Sequence, residues 1–440
     1  MNILSSLLFV VLLIIGFGFF VKNIKKLIRN IKLGKDIDRT DNASKRWTVM
    51  SLVALGQGKM TVRPVAGILH ILVYLGFIII NIELLEIIID GIFGTHRIFS
   101  FMGTFYDFLI ASFELLAFLV LLSVTIFWIR RNIIKIKRFW NPEMQGFPKN
   151  DANYILYIEF ILMSLFLLMN AADYKLQILG IYHEAGSFPI SQYISTILPE
   201  NTTTLEVIEK VAWWLHIIGI LFFMNYLYYS KHLHILFAFP NTYYSKLEPK
   251  GQLNNLTSVT KEVKMMMDPN ADPFAAPSAE EEEGSTHEKF GASDAVDLNW
   301  VQLMNAYTCT ECGRCTSVCP ANLTGKKLSP RKIMMDTRDR IEEIGKNIDK
   351  NGEFKPDGKQ LLGDYISQEE LWACTSCNAC VDACPVLINP LSIIIDLRRF
   401  LVMEQSAAPQ ELNIMMTNIE NNSAPWQFGQ ADRLNWKDEE

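Results

Sequence analysis

The eight cysteines of this chain fall into two runs of identical spacing, and that spacing limits how this part of the chain can fold. Each run reads C-x2-C-x2-C-x3-C-P, with the cysteines at Cys309, Cys312, Cys315 and Cys319, and at Cys374, Cys377, Cys380 and Cys384. This pattern is typical of two cubane [4Fe–4S] clusters, where the fourth cysteine of each run ligates the other cluster. We therefore predict one cluster on Cys309, Cys312, Cys315 and Cys384, and a second on Cys374, Cys377, Cys380 and Cys319.

Zinc and disulfides explain the cysteine pattern less well. A structural zinc ion is satisfied by four ligands, usually from two separated C-x2-C pairs, and gains nothing from the third cysteine of a run. Disulfides require an oxidising compartment, and residues three apart on tight turns pair poorly.

The two halves of the chain differ in polarity. Half of the residues are hydrophobic, and they concentrate in 1–240. A bilayer crossing takes about 20 apolar residues, and this condition is met by stretches near 3–21, 65–89, 105–129, 153–172 and 208–230. The first stretch lacks a preceding basic residue and is followed by lysines, so we interpret it as a retained helix rather than a cleaved signal peptide.

The distribution of lysine and arginine predicts the orientation. The first and third loops carry many basic residues, whereas the second has only Arg97 and the fourth only Lys175. By the positive-inside rule, the first and third loops and the C-terminal half are then cytoplasmic. We expect a multi-pass protein of a bacterial or archaeal cytoplasmic (inner) membrane, in contact with membrane lipid. The net charge of −6 gives no support for a nucleic-acid partner.

Helical patterns dominate throughout, so the predicted fold class is all-α: a five-helix transmembrane bundle followed by a cytoplasmic helical ferredoxin domain. We divide the chain into a transmembrane domain (1–240), a helical stalk and acidic flexible linker (241–298), a two-cluster domain (299–404) and a polar, extended tail (405–440). The acidic run Glu280–Glu283 and His287 lie in the linker.

Three histidines lie within or at the ends of the crossings, where ionisable side chains are costly and therefore functional candidates. His216 and His234 are 18 residues apart (234 − 216), which is five turns of one continuous helix and places both rings on one face. On that helix His232 points elsewhere. His70 lies near the cytoplasmic surface, as does His234, so these two are candidate ligands of one b haem. His216 is a candidate ligand of a second haem, for which His96 and His183 are the weaker candidate partners.

Several carboxyl groups also lie within the predicted crossings, among them Glu83, Glu86, Glu114 and Glu159. They either line a quinone pocket or a proton path, or face the bundle interior and form hydrogen bonds with neighbouring helices.

Residues 1–240 resemble the cytochrome b subunits of respiratory nitrate reductase (its gamma subunit) and of membrane-bound heterodisulfide reductase. The resemblance rests on W-W-L-H at 213–216, S-K-H-L-H-I-L-F-A-F-P at 230–240 and I-L-H-I-L-V-Y-L-G-F around His70. It implies that His70, His216 and His234 are haem ligands. The family commonly has a further histidine ten residues after the first, where this chain has Ile80.

Residues 305–404 resemble the dicluster, helical-ferredoxin domain of heterodisulfide reductase-like iron–sulfur subunits. The shared strings are C-T-E-C-G-R-C-T-S-V-C-P, S-P-R-K-I and C-T-S-C-N-A-C-V-D-A-C-P. The cysteine-rich C-C-G modules of that family are missing from this sequence, which implies a partner subunit that carries them, or a flavin subunit.

These features favour an electron-transfer subunit of a membrane quinone-linked oxidoreductase that contains two [4Fe–4S] clusters and one or two b-type haems, with quinone as substrate. Catalytic residues are not identified. The alternatives are an iron–sulfur membrane redox sensor, which needs neither haem nor quinone, and a membrane anchor for a soluble dehydrogenase.

Overall fold

The computed structural model describes residues 3–269 and 289–438. Over these residues the chain is helical and contains no β-strand, which confirms the all-helical prediction. Most of the predicted linker, including Glu280–Glu283 and His287, lies outside the described residues. The α-helices are α1 Ile3–Ile31, α2 Ala43–Met50, α3 Pro64–Phe93, α4 Thr104–Asn132, α5 Phe147–Ile178, α6 Ser191–Ser195, α7 Thr202–Tyr226, α8 His234–Tyr243, α9 Thr257–Met267, α10 Trp300–Thr308, α11 Arg314–Val318, α12 Pro320–Leu323, α13 Pro330–Asn351, α14 Gln368–Trp372, α15 Ala379–Ala383, α16 Pro390–Met403 and α17 Gln410–Asn422.

Within the described ranges, five long helices are apolar enough to cross a membrane: α1, α3, α4, α5 and α7, the last extended to Tyr229. Their outer faces expose many large apolar side chains, as expected for helices surrounded by lipid. Neighbouring helices in the sequence pack side by side, so the bundle alternates up and down. A core of apolar residues, including Phe9, Phe113 and Phe166, fills its centre.

The internal repeat of the cysteine-rich half has a structural basis. Each cysteine run is followed by a polar residue and a proline that begin a helix: Ser329–Pro330 before α13 and Asn389–Pro390 before α16. The Ser329 and Asn389 side chains each accept a hydrogen bond from a backbone N–H of the first turn, and proline at the first helical position sacrifices no hydrogen bond. α13 and α16 then pack against each other and support both cysteine loops.

The cysteine-rich half packs directly against one end of the membrane bundle. Leu27 and Ile31 of α1 and Leu233 belong to the same apolar core as the helices of the cysteine-rich half. Polar contacts reinforce this packing: Asn30 donates to the Tyr307 hydroxyl, and Lys26 pairs with Asp349. The loops at this end are the first and third loops, the two that carry the basic residues.

Three details differ from the sequence prediction. The prediction that one continuous helix carries His216 and His234 is wrong, because α7 ends at Tyr226 and the backbone at Ser230 is extended (φ −108°, ψ 148°). The predicted extended tail contains α17, whose start after Pro409 and apolar spacing at Leu412, Met416 and Ile419 are typical of a helix. Residues 289–298 pack on α13 and α16 through bonds such as Ala292 N–H to the Asp396 carbonyl, so the packed domain begins before residue 299.

Candidate metal centres

The cysteines line two cavities, and each cavity takes its fourth cysteine from the other run. The first is lined by Cys309, Cys312, Cys315 and Cys384, and we call it site I. The second is lined by Cys374, Cys377, Cys380 and Cys319, and we call it site II. Cys380 also touches the wall of site I. These are the two groups that the sequence spacing predicts as cluster ligands.

The two cysteine loops share an unusual backbone. Glu311 and Ser376 occupy equivalent positions with φ of 54° and 55°, and Gly313 and Asn378 follow with φ of 70° and 60°. Left-handed residues on either side of the second cysteine of each run curve the chain around a central group and turn backbone N–H groups toward it. The Ser376 N–H lies 3.4 Å from the Cys374 sulfur, and the Ile388 N–H lies 3.3 Å from the Cys384 sulfur.

The chemistry of the thiols fits an iron–sulfur cluster. Burial raises the pKa of the Cys309 and Cys380 thiols to about 12 and that of Cys384 to about 11. Such thiols become thiolates only beside strong positive charge, which iron ions supply. Over the described part of the chain, no three His, Cys, Asp or Glu side chains gather closely enough for a single metal ion. The cysteines instead surround the two cavities, an arrangement that suits a cluster rather than a single metal ion.

Site I rests on the membrane half. Arg314, between Cys312 and Cys315, donates to the backbone carbonyl of Lys59, a few residues before α3 begins. Arg331, which lines the same cavity and is fully buried, donates to Glu143 at 2.7 Å and to the Arg138 carbonyl. Both contacts reach loops that flank membrane helices, so the position of site I relative to the bundle is fixed by charged hydrogen bonds.

A buried ion cluster adjoins the first cysteine loop. Glu311 is 3% exposed and pairs with Lys231, at the end of the fifth crossing, and with Arg338 of α13. Burial alone raises the pKa of Glu311, but the Lys231 ammonium and the Arg338 guanidinium outweigh it and lower the pKa below its usual value. An ionised carboxylate therefore stands between Cys309 and Cys312.

The structure brings two of the three predicted haem ligands together. The rings of His70 and His234 lie beside each other, with centroids 6.3 Å apart and an interplanar angle of 40°. The His234 Nδ1 atom lies 3.2 Å from the Lys231 carbonyl, whereas the buried Nδ1 atom of His70 has no protein partner. His232 packs beside His234 at 5.2 Å and approaches Glu159 at 3.6 Å. The break of the fifth crossing at Ser230 places these rings.

His216 lies apart from this pair. It is 4% exposed, near the middle of α7, with its Nδ1 atom 3.0 Å from the Leu162 carbonyl and its ring against Phe166. Neither predicted partner is paired with it in the described structure. His96 packs on Tyr182 and approaches Asp173, and His183 is exposed.

Sequence reasoning missed the residues that dock site I on the bundle, namely Lys59, Glu143, Lys231, Glu311 and Arg331. The first two lie in the loops whose charge predicted the orientation. The cysteine spacing does not indicate a role for Glu311. The pairing of Lys231 with Glu311 becomes visible only in the folded structure.

Comparisons with known proteins agree with the cysteine chemistry. Residues 308–388 match the family model described as "4Fe-4S dicluster domain". Along 99% of its length the chain is 30% identical to the "Probable iron-sulfur-binding oxidoreductase FadF" of Bacillus subtilis, of which it covers 61%. Along 100% of its length it is 26% identical to the "EtfAB:quinone oxidoreductase" of Syntrophomonas wolfei, of which it covers 60%.

A shorter match concerns the cluster chemistry. Over 32% of its length the chain is 30% identical to one of the subunits of the dihydromethanophenazine:CoB–CoM heterodisulfide reductase of Methanosarcina mazei, and it covers 35% of that protein. No solved structure matches. The chain is therefore related to iron–sulfur oxidoreductases and contains a [4Fe–4S] dicluster domain, while it spans about 60% of the length of the two relatives that match it throughout.

Proposed function

We propose that this chain is the electron-transfer subunit of a membrane quinone-linked oxidoreductase. Electrons pass between a cytoplasmic catalytic partner, the clusters of sites II and I, a b haem held by His70 and His234, and quinone. The observation that carries the proposal is the position of site I. Its loop rests on the residues that lead into α3, the helix that carries His70 within its first turns.

His70 and His234 would hold the haem iron between their imidazole rings, where the haem would supply one-electron chemistry. A metal–nitrogen bond to histidine is about 2.0–2.1 Å long, so two imidazoles on opposite sides of one iron have centroids about 6 Å apart. The observed separation is 6.3 Å. In His234, the hydrogen bond from Nδ1 to the Lys231 carbonyl orients the ring and leaves Nε2 for the metal, a common arrangement for ligating histidine.

The buried charges between site I and the histidine pair belong to the same proposal. Lys231 bonds to Glu311 in the cysteine loop and, through its own carbonyl, to His234. This single residue therefore links the surroundings of site I to the haem ligand. When bound, the clusters and the haem exchange single electrons, while the chain fixes their spacing and surroundings.

Site II is the candidate contact with the partner. Cys377 is exposed, whereas the cysteines of site I are buried or half-buried. We propose a C-C-G iron–sulfur module or a flavin subunit as that partner. The printed name of the Syntrophomonas relative supports quinone as substrate and EtfAB as one candidate partner. The cluster half then lies in the cytoplasm, on the basic side of a bacterial or archaeal inner membrane.

The haem assignment is tested with His234→Ala. We expect the variant to lose the dithionite-reduced b-type absorption band while the cluster EPR signals stay unchanged, because His234 holds iron and contacts neither cysteine site. In the unmodified protein, a naphthoquinone should reoxidise both haem and clusters.

The matched control is His183→Ala, since His183 is exposed and leaves the histidine pair intact. Unchanged haem content in His234→Ala would refute the ligand assignment. A wild-type preparation with full iron and sulfide but no porphyrin would instead favour the redox sensor.

A further inference from the structure

We infer that a network of buried carboxyl groups carries protons between the bundle interior and the bundle surface opposite the cluster half. The network consists of Glu83, Glu86 and Asp90 of α3, Glu114 of α4, Asp173 of α5 and Arg97 in the loop between α3 and α4. This inference rests on the proposed function, because it supplies the protons that quinone chemistry requires. We call the residues the far-end network.

Hydrogen bonds join Glu86, Asp90 and Asp173 of the far-end network to Arg97 or to Tyr106, whereas Glu114 accepts from the Ile190 and Ser191 N–H groups. Arg97 donates through Nε to Asp173 at 2.5 Å and through a terminal nitrogen to the Tyr106 hydroxyl at 3.1 Å. The Tyr106 hydroxyl in turn donates to Glu86 at 2.9 Å. Glu83 lies 4.0 Å from Arg97. These groups therefore meet at the Arg97 guanidinium, which keeps its own protons, so a proton passes from one carboxyl group to the next through water that bridges them around Arg97.

The charge of the network shows that it holds protons. Its five carboxyl groups are each at most 8% exposed. Among the described residues, Arg97 is the one lysine or arginine within 4.0 Å of any of them. Backbone N–H groups and the Thr95 and Tyr106 hydroxyls donate to Glu86, Asp90 and Glu114. Ionising all five carboxyl groups would still leave four negative charges without a cation, which is costly in a bilayer. Part of the carboxyl groups must therefore be protonated, and the protons are shared within the coupled group.

Unpartnered polar atoms mark the inner end of the network. Glu83 Oε2, Glu114 Oε1 and Asn170 Nδ2 are buried and have no protein hydrogen-bond partner. Such an atom costs about 1–3 kcal/mol unless a proton or water satisfies it. Glu83 stands ten residues (93 − 83) from the end of α3, which is about 15 Å and so about half the hydrocarbon thickness.

The other end of the network reaches the surface. The His96 Nε2 atom lies 3.6 Å from Asp173, and the His96 side chain is 43% exposed. The network therefore extends from Glu83 at mid-membrane to Asp173 and to a histidine that exchanges protons with water. Each quinone that takes up two electrons from the clusters and haem takes up two protons to become quinol, and the network delivers them. Quinol oxidation releases them by the same route.

The test compares two electron acceptors on the full-length holoprotein in liposomes. Dithionite-reduced protein is mixed either with 2,3-dimethyl-1,4-naphthoquinone, which needs protons, or with ferricyanide, which does not. In Glu83→Gln we expect reoxidation by the naphthoquinone to slow about 100-fold, the lower end of the effect of positioned proton transfer. The ferricyanide rate and the cluster EPR signals should be unchanged. The matched control is Glu206→Gln, which alters a carboxylate that is 39% exposed at the same end of the bundle.

A surface variant keeps the test decisive if Glu83→Gln does not accumulate. His96→Gln should fold, and its slower naphthoquinone rate should recover when imidazole is added, because a small base can replace an exposed proton carrier. Equal slowing with both acceptors indicates a structural role and overturns the inference, as does an unchanged naphthoquinone rate in both variants. Failure of the naphthoquinone to reoxidise the wild-type protein refutes the proposed function itself.

Discussion

Sites I and II are built from the same cysteine spacing but stand in different surroundings. Their loops share left-handed residues at equivalent positions, Glu311 with Ser376 and Gly313 with Asn378. Around site I, the side chains are charged, buried and bonded to the membrane half. Around site II, Cys377 is exposed, and Arg398 of α16 donates to the Cys374 carbonyl within the cysteine-rich half.

This difference separates what the motif determines from what the surroundings determine. The spacing and the left-handed residues place sulfur atoms and backbone amides, and these are alike in both sites. Net charge, burial and hydrogen bonding around a cluster set its reduction potential. We therefore expect the two clusters to have different potentials and different neighbours: site I next to the membrane bundle and site II next to a partner.

The largest expected effect tests which cysteines belong to which site. Cys319→Ser should abolish the cluster of site II and leave site I intact, because Cys319 lines the cavity of Cys374, Cys377 and Cys380. The measurement is the cluster EPR spectrum, with iron quantified in the same samples.

Paired variants give the control. Cys319→Ser and Cys377→Ser should both retain only the EPR signal of the site I cluster. Cys384→Ser and Cys312→Ser should both retain only the signal of the site II cluster. If Cys319→Ser instead matches Cys312→Ser, the exchange of the fourth ligand between the runs is wrong.

Much of this comparison was predictable from the sequence. The cysteine runs predict both groups of four, and the apolar stretches predict the five long apolar helices found among the described residues. Both signals are local: thiol spacing, hydrophobic length and the Ser329–Pro330 and Asn389–Pro390 helix starts depend on residues close in the chain.

Contacts between distant segments were not predictable. The pairing of Lys231 with Glu311 joins residues 80 apart, and only the packing of the two halves decides it. The sequence also failed at Ser230, where a helical pattern conceals an extended residue whose side chain bonds to the His232 N–H. A pattern of apolar residues alone cannot show where a crossing breaks, so the predicted common face of His216 and His234 did not hold.

The second effect measures how strongly site I is attached to the bundle. Glu143→Gln removes the carboxylate that pairs with the fully buried Arg331 at 2.7 Å. Leaving a buried charge without its partner should lower the free energy of unfolding by about 3 kcal/mol. The measurement is thermal unfolding of the detergent-solubilised protein, read by loss of cluster absorbance. Glu369→Gln is the control, because its partner Lys327 is 69% exposed, and it should change the free energy of unfolding much less than Glu143→Gln. Equal losses would show that the Arg331 contact does not anchor site I.

The smallest expected effect is a shift in the reduction potential of site I, and it tests most directly how the surroundings of the two sites differ. Glu311→Gln removes a negative charge beside site I and leaves Lys231 and Arg338 in place. Added positive charge favours the reduced cluster, so its potential should rise by about 40 mV, which is about 1 kcal/mol for a one-electron couple. A redox titration followed by EPR measures both sites in one sample.

Two further variants test whether the shift in the potential of site I comes from the lost charge of Glu311. Glu311→Asp keeps the charge and should keep the potential of site I, whereas Ser376→Ala, at the equivalent position of site II, changes no charge and should move neither potential by a similar amount. The site II potential should stay constant in Glu311→Gln, because no contact of Glu311 reaches the second cysteine loop among the described residues. A shift shared by both sites would mean that the buried charges act on the whole domain, and the contrast between the two environments would then not explain their separate roles.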